Sequence, residues 1–297
     1  MKANVIMDWS ERMSLAVEYI ESNLTEEIYI DEVAKVAGSS MYHFHRMFFS
    51  MIGNTPAEYI RRRRLTLAAT DLATRDTRVI DIALKYGFES PNAFTRAFRK
   101  VHGVPPSKVR SQNIAFTVQR RATLKIDTKG KIMLGYKIIE RPAFKIIGKS
   151  KNFDFDKFVK SGPKFWKDYV SSEEYNSLWE ITSGSHGEVT NAPIMSVYFP
   201  NENGSRNTFT DVLGLEVNPE THPNKFDVFS VPPATYAEFN CNYRNSMKTN
   251  KHIYGEWFAS TGFERDGDRP DIAAYFPKAF RPTSEMNVRW WIPIIKK

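Results

Sequence analysis

Between Gly38 and Gly53 the chain reads "GSSMYHFHRMFFSMIG", with apolar side chains at 44, 47, 48 and 51. That spacing is the repeat of a helix with one buried face. The other face then carries Tyr42, His45, Arg46 and Phe49. Residues i and i+2 of a helix point about 200° apart, so His43 and His45 do not share a metal ion, and no metal site is expected. The choice is between a solvated amphipathic helix and a helix whose outer face reads another molecule.

The same pattern returns further along. "DEVAKVAGSSMYHFHRMFFSMIGNTPAEYI" aligns with "IDIALKYGFESPNAFTRAFRKVHGVPPSKV". Ala34 and Gly38 recur 49 residues later as Ala83 and Gly87. Phe44, Arg46, Phe48, Gly53 and Pro56 recur 50 residues later as Phe94, Arg96, Phe98, Gly103 and Pro106. Each copy predicts a helix ended by a left-handed glycine, a short turn, and a second helix capped by Ser40 or Ser90, with Pro91 at a first helical position. This is the helix-turn-helix pattern. The outward positions of the second copy are Asn92, Thr95, Arg96 and Arg99. Neither outward set holds an acid, and both hold side chains of the kinds that contact base edges and phosphates. DNA reading is therefore preferred over a solvated face, and His43 flanks the core.

Between the copies, "TPAEYIRRRRLTLAATDLAT" opens with a capping box of Thr55 and Glu58, with Pro56 at the first position. It predicts a helix of about five turns that holds two reading heads apart over successive major-groove turns, about 34 Å apart. Its run Arg61 to Arg64 offers a phosphate-binding face, with Arg61 and Arg62 as the candidates. Four successive residues fan around a helix, so one or two of the run are expected to pair internally.

Charge sharpens this picture. The net +8 is uneven, with 14 basic against 5 acidic residues from Val33 to Arg110 and 2 against 8 in the first 32. A basic block of this kind suits a polyanion. At 297 residues, 41% of them hydrophobic, two packed domains are expected. Runs such as "WWIPII" fall far short of a membrane span, and "MKANVIMDWSERM" lacks a signal peptide's apolar core. Cys241 is the single cysteine, which excludes an intramolecular disulfide and a cysteine-based zinc site. A cytoplasmic protein with no membrane partner is expected.

Residues 13 to 110 resemble the AraC-type DNA-binding domain, two helix-turn-helix units joined by a long helix. "DEVAKVAGSS", "HFHRMF", "TPAEYIRRRRL", "DIALKYGFES", "FTRAF" and "GVPPSKVR" carry the likeness in order and spacing. The resemblance implies that Tyr42, His45 and Arg46, then Asn92, Thr95 and Arg96, take base- and backbone-contacting positions. The family usually has a basic pair where this chain has Phe49 and Ser50.

Beyond a polar, basic stretch from Ser111 to Lys131, strand patterns alternate with helical ones. The first series is "GYKIIERPAFKIIGKS", "DFDKFVKSGPKFWKDYV", "APIMSVYFP" and "FTDVLGLEVNP". The second is "DVFSVPPATYAEFNC", "MKTNKHIYGEWFAST", "RPDIAAYFPKAF" and "EMNVRWWIPIIKK". Pro142 and Pro233 are 91 apart, as are Trp166 and Trp257. Two duplicated strand-helix-strand-strand modules predict an α+β domain with a cleft between its halves. The expected organisation is an all-α double helix-turn-helix domain over 1–112, a linker over 113–131 and an α+β domain over 132–297.

"PPATYAEF" and "NVRWWIPI" make this half similar to the GyrI-like effector-binding domain, which implies an amphipathic small-molecule effector. The combined architecture resembles the Rob-type activators, implying double-stranded DNA and RNA polymerase as partners. The family often carries a glutamate two residues before the tyrosine of "RPDIAAYF", and here that position is Ala273. Its absence disfavours cations unless Glu216 or Glu238 substitutes. Trp166, Tyr198, Tyr236, Trp257 and Tyr275, with Trp290, are candidates to line the cleft. An enzyme is the rival reading, because some relatives are hydrolases. His186, His222 and His252 accompany no nucleophile elbow, zinc signature or phosphate loop. No cofactor or catalytic residue is expected, and "GSHG" reads as a loop. A ligand-sequestering module is the third possibility.

Overall fold

The computed structural model describes residues 9–112, 116–123, 134–181, 187–201, 207–217, 226–267, 269–277 and 285–296. They form two compact units, one mainly from the chain up to residue 126 and one mainly from the chain from residue 127 onward. His186, His222 and most of the expected linker lie outside the described residues.

The first unit is helical: α1 (Trp9–Ser22), α2 (Ile30–Val36), α3 (Met41–Ile52), α4 (Pro56–Thr74), α5 (Val79–Lys85), α6 (Pro91–His102) and α7 (Pro106–Gln112). The duplication extends to individual hydrogen bonds. Gly38 and Gly87 take φ of 58° and 73°. The Ser39 and Phe88 N–H groups donate to the carbonyls of Ala34 and Ala83, each at 3.0 Å. These reach back five residues, as in a Schellman ending, so the repeated alanine marks where each first helix stops. Ser90 accepts from the Ala93 N–H at 3.2 Å and Ser40 from the His43 N–H at 3.4 Å. Leu65, Leu72, Ile82, Ala83, Phe94 and Phe98 form the core of the second copy. Burying each phenylalanine contributes about 1.5–3 kcal/mol.

The two turn glycines differ in one respect. A methyl group at Gly87 would meet Arg64 Nη1 at 2.9 Å, whereas at Gly38 nothing lies within 4 Å. Left-handed backbone costs a side chain about 1 kcal/mol in either place. Gly38→Ala is expected to lower stability by about that amount and Gly87→Ala by more. Urea unfolding of the two variants side by side checks the difference, and equal effects would mean that Arg64 yields freely.

In the second unit the strands are β1 (Tyr136–Arg141), β2 (Phe144–Asp154), β3 (Ile194–Pro200), β4 (Thr208–Val217), β5 (Asp227–Val231), β6 (Ala234–Asn242), β7 (Phe263–Arg265), β8 (Asp271–Phe276) and β9 (Asn287–Lys296). The helices are α8 (Phe155–Val170), α9 (Glu173–Ile181) and α10 (Ser246–His252), the last running into a π-helical turn, Ile253–Trp257. Each expected first strand is in fact two. The breaks fall at Pro142 and Pro233, where the ladder loses a donor. The modules are therefore strand-strand-helix-strand-strand. The antiparallel order β1-β6-β9-β8-β3-β4-β2-β5 reads the same when the modules are exchanged. β1 pairs with β6 of the other module, and β5 pairs with β2.

Register sorts the side chains, because residues directly opposite share a face. Tyr198 lies opposite Asp211 and Ser196 opposite Ala273, which is itself opposite Trp290, itself opposite Phe239. Helices cover this face. Phe158 of α8 packs on Tyr198 and Phe209, with centroids 6.1 and 4.9 Å apart, and Trp257 packs on Phe239 at 5.0 Å. The opposite face is a core of Met195, Val197, Val212, Tyr236, Ile272 and Trp291.

Candidate DNA interface and effector cleft

On α6 the pattern of burial follows the helical repeat. Phe94 and Phe98 are buried, while Asn92, Arg96 and Arg99 are exposed and Thr95 is half-buried. The last four fall on one side of the helix. Arg96 and Arg99 have no acidic partner among the described residues. Ser90 caps the helix start, and Gly103, with φ 79°, closes its end. α6 thus offers two guanidiniums and an amide on a rigid element. On α3, Tyr42 and His45 stand at the matching positions along the helix but are buried, 4% and 1% exposed. The expected outward face is therefore not repeated there, and of Tyr42, His45 and Arg46 only Arg46 keeps partial exposure. His43 points elsewhere, its ring 4.5 Å from that of Trp9 on α1. Ser40 spends its hydroxyl on the helix cap.

The arginine run departs from expectation, because all four members have internal partners. Arg61 and Arg62 both reach Glu58, at 2.6 Å each. That carboxylate is therefore turned away from the reciprocal half of a capping box, and only Thr55 caps, accepting from the Glu58 N–H at 3.4 Å. Arg63 forms a two-pronged pair with Glu21, at 2.8 and 2.7 Å, and donates to the Gln119 carbonyl at 2.6 Å. Arg64 donates to the Leu24 carbonyl at 2.9 Å. Arg61 and Arg62 keep partial exposure and a net charge of one against Glu58, whereas Arg63 and Arg64 tie α4 to its surroundings.

Part of the stretch expected as a linker belongs to the first unit. The Gln119 N–H donates to Thr66 at 3.0 Å and the Ala122 N–H to the Tyr59 hydroxyl at 2.9 Å. Phe116 meets the His102 ring edge-on at 5.6 Å. Residues 116–123 therefore lie along α4 as an extended strap.

In the second unit the structure brings together some of the expected cleft residues. Trp166 of α8 lies 5.7 Å from Tyr275, and both lie near Tyr243, at 5.6 and 6.3 Å. Tyr198 stacks on Trp290 at 5.8 Å. Trp257 instead sits over Phe239 and Tyr136, at 5.0 and 5.1 Å, under the other half of the sheet. Tyr236 belongs to the core on the opposite face. Glu216 and Glu238 also stand on that face and are occupied. Glu216 accepts from the N–H groups of Val189 and Thr190 at 2.9 and 2.8 Å, and Glu238 from the Trp291 indole at 3.0 Å. Neither substitutes for an acid at 273. Alternation along β4 and β6 turns both away from the cleft.

A different acid occupies the cleft floor. Asp211 of β4 is buried opposite Tyr198, and its Oδ1 has no hydrogen-bond partner. Burial pushes its pKa up to about 7, against a hydrogen bond from Ser196 that lowers it. Tyr198 and Tyr275 are raised as well, first by burial and then by each other's charge or that of Asp211. The signal was present in "FTDVLGLEV", where Asp211 and Glu216, an odd number of residues apart and so on opposite faces, are the two acids of a strand otherwise fit for a core. His252 lies elsewhere, with Nδ1 3.1 Å from Glu256. No group of His, Cys, Asp and Glu among the described residues is arranged to hold a metal ion.

Comparison with known proteins agrees with this division. Residues 33–112 match the family described as a helix-turn-helix domain, and residues 137–294 match the integron-associated effector binding proteins. The regulator YbfP of Bacillus subtilis is 38% identical over 43% of this chain and 44% of its own length. The chain thus aligns with less than half of that relative. The transcriptional activator AarP of Providencia stuartii is 38% identical over 36% of this chain and 79% of its own. A solved transcription regulation protein from Staphylococcus aureus covers 54% of this chain and 98% of its own at 12% identity, with a TM-score of 0.42. With a double helix-turn-helix first unit and a matching second unit, the chain belongs to the AraC-type regulators that carry an integron-associated effector-binding domain.

Proposed function

We propose that the chain is a sequence-specific transcription regulator, an activator, that binds double-stranded DNA through residues 1–112. Residues 132–297 then bind a small amphipathic or aromatic effector, and the output is contact with RNA polymerase. The observation that carries the DNA reading is the outward face of α6, where exposed Asn92, Arg96 and Arg99 stand opposite buried Phe94 and Phe98. Such a face supplies both base-edge and phosphate contacts. The likeness to AarP, a transcriptional activator, supports activation. Selection of bound duplexes from a random pool tests the reading. A consensus with two half-sites about one helical turn apart is expected, and a pool without enrichment rejects it.

For the effector, Asp211 reverses the inference drawn from Ala273, because an acid with an unfilled oxygen favours a cationic aromatic ligand. A cation binds the ionised carboxyl, so affinity is expected to rise as pH rises through about 7. Asp211→Asn is expected to remove that dependence and lower affinity about tenfold or more. In the empty protein the sign is opposite. The folded state holds a proton that the unfolded state has lost, so stability falls between the ordinary carboxylate range and about pH 7. Titration calorimetry with a cationic dye at pH 6 and pH 8 reads the first effect, and equal affinities would count against Asp211.

A further inference from the structure

A second concavity lies on the same unit, on the flank of α8 away from the aromatic cleft. Its volume is about 260 Å³, and Lys149 and Lys151 of β2 line it with Lys164, Phe165, Asp168 and Tyr169 of α8. Phe165 and Trp166 are neighbours about 100° apart around the helix, so α8 is a wall shared by both sites. The floor is apolar. Phe165 and Tyr169 are 8% and 3% exposed, and their rings stack 6.4 Å apart at an interplanar angle of 8°.

The rim is cationic. Lys149 pairs with Glu174 and Lys164 with Asp168, each at 2.5 Å and each exposed. Pairs of this kind hold by about 1 kcal/mol at most, so they open readily to a competing anion. Lys151 has no acidic partner among the described residues. Its ammonium stands 5.2 Å from the Phe153 ring and 5.5 Å from that of Phe165, directly over the floor. Asp211 is its register partner on β4, but that carboxyl is buried under the cleft and forms no ion pair with it.

We propose that this concavity binds a small aromatic monocarboxylate, its ring on Phe165 and Tyr169 and its carboxylate on Lys151. The apolar floor selects a ring, and the unpaired ammonium selects an anion. The volume lies below the ordinary 300–1,000 Å³ range of ligand sites, which limits the occupant to about one or two rings. The site differs from the aromatic cleft in place and in the sign of its charge, so one unit would take ligands of opposite charge on the two sides of α8.

Titration calorimetry of the full chain with 2-naphthoate tests this, with 2-naphthylmethylamine as the cationic counterpart. Naphthoate is expected to bind and the amine not to displace it. Lys151→Glu is expected to weaken naphthoate binding about ten- to a hundredfold, the size of a lost charge-assisted hydrogen bond. If the Lys151→Glu protein melts early, Lys151→Gln replaces it, with a loss of about tenfold expected. Unchanged affinity in a folded Lys151 variant overturns the proposal, as does no binding up to millimolar naphthoate. Naphthoate displaced by the amine also overturns it, since the two ligands would then share the cleft.

Discussion

Arg63→Ala is expected to destabilise the first unit by about 3–5 kcal/mol, the cost of leaving one member of a buried ion pair alone. Arg63 and Glu21 are 11% and 10% exposed and meet through two parallel hydrogen bonds. Glu21 also accepts from the Tyr59 hydroxyl at 2.7 Å. Burial pushes its carboxyl pKa up, but the bonds from Arg63 and Tyr59 outweigh burial and leave it lowered. A lowered acid contributes stability that is present above the ordinary carboxylate range and lost as pH falls through its folded value. The variant should therefore lose most at neutral pH and least in acid. It should not change the salt slope of DNA binding, because Arg63 is largely buried and its charge is already met by Glu21. Denaturant melts at two pH values and a salt titration separate the roles. A stable variant with a slope reduced by about one would return Arg63 to the phosphate-binding face.

Arg96→Ala is expected to weaken specific DNA binding by about 1–3 kcal/mol, roughly five- to 150-fold, and to relax base preference at one part of the site. Here the protein's own stability should barely move. Arg96 is exposed on α6, and its neighbours Phe94 and Phe98 fill the core without it. Measuring affinity for the selected duplex and for each single-base variant resolves the two components. A uniform loss across sequences would make Arg96 a phosphate contact, and no loss would remove α6 from the interface.

The helical half was legible because its devices are local. A glycine needing positive φ, a serine cap and a 3.6-residue stripe each act within a few residues, and the repeat showed them twice. The arginine run was harder, since Glu21 and the Gln119 carbonyl lie about 40 and 56 residues from Arg63. No helical periodicity announces such partners. In the second half, strand existence could be read but not pairing. Alternation tells that Tyr236 and Glu238 differ in face from Phe239, but not which face the helices cover. Asp211 was not legible because its place in the cleft depends on the pairing of β4 with β3, which sets it opposite Tyr198 and within reach of Ser196.

The exchange of first strands between the modules bears on how the second unit folds. Tyr136 finds Phe239, and Phe144 finds Val231, across most of the unit's length in sequence. Loop-closure entropy must be met before those ladders form, so folding of this half is set by non-local contacts and is slow beside the helical half. Neither module closes its own sheet. A chain arrested after β4 would hold β1 without β6 and β2 without β5, leaving open strand edges that invite pairing with other chains. The two halves of the duplication are thus one cooperative body, and the gene segment encoding either alone specifies an aggregation-prone fragment rather than a domain.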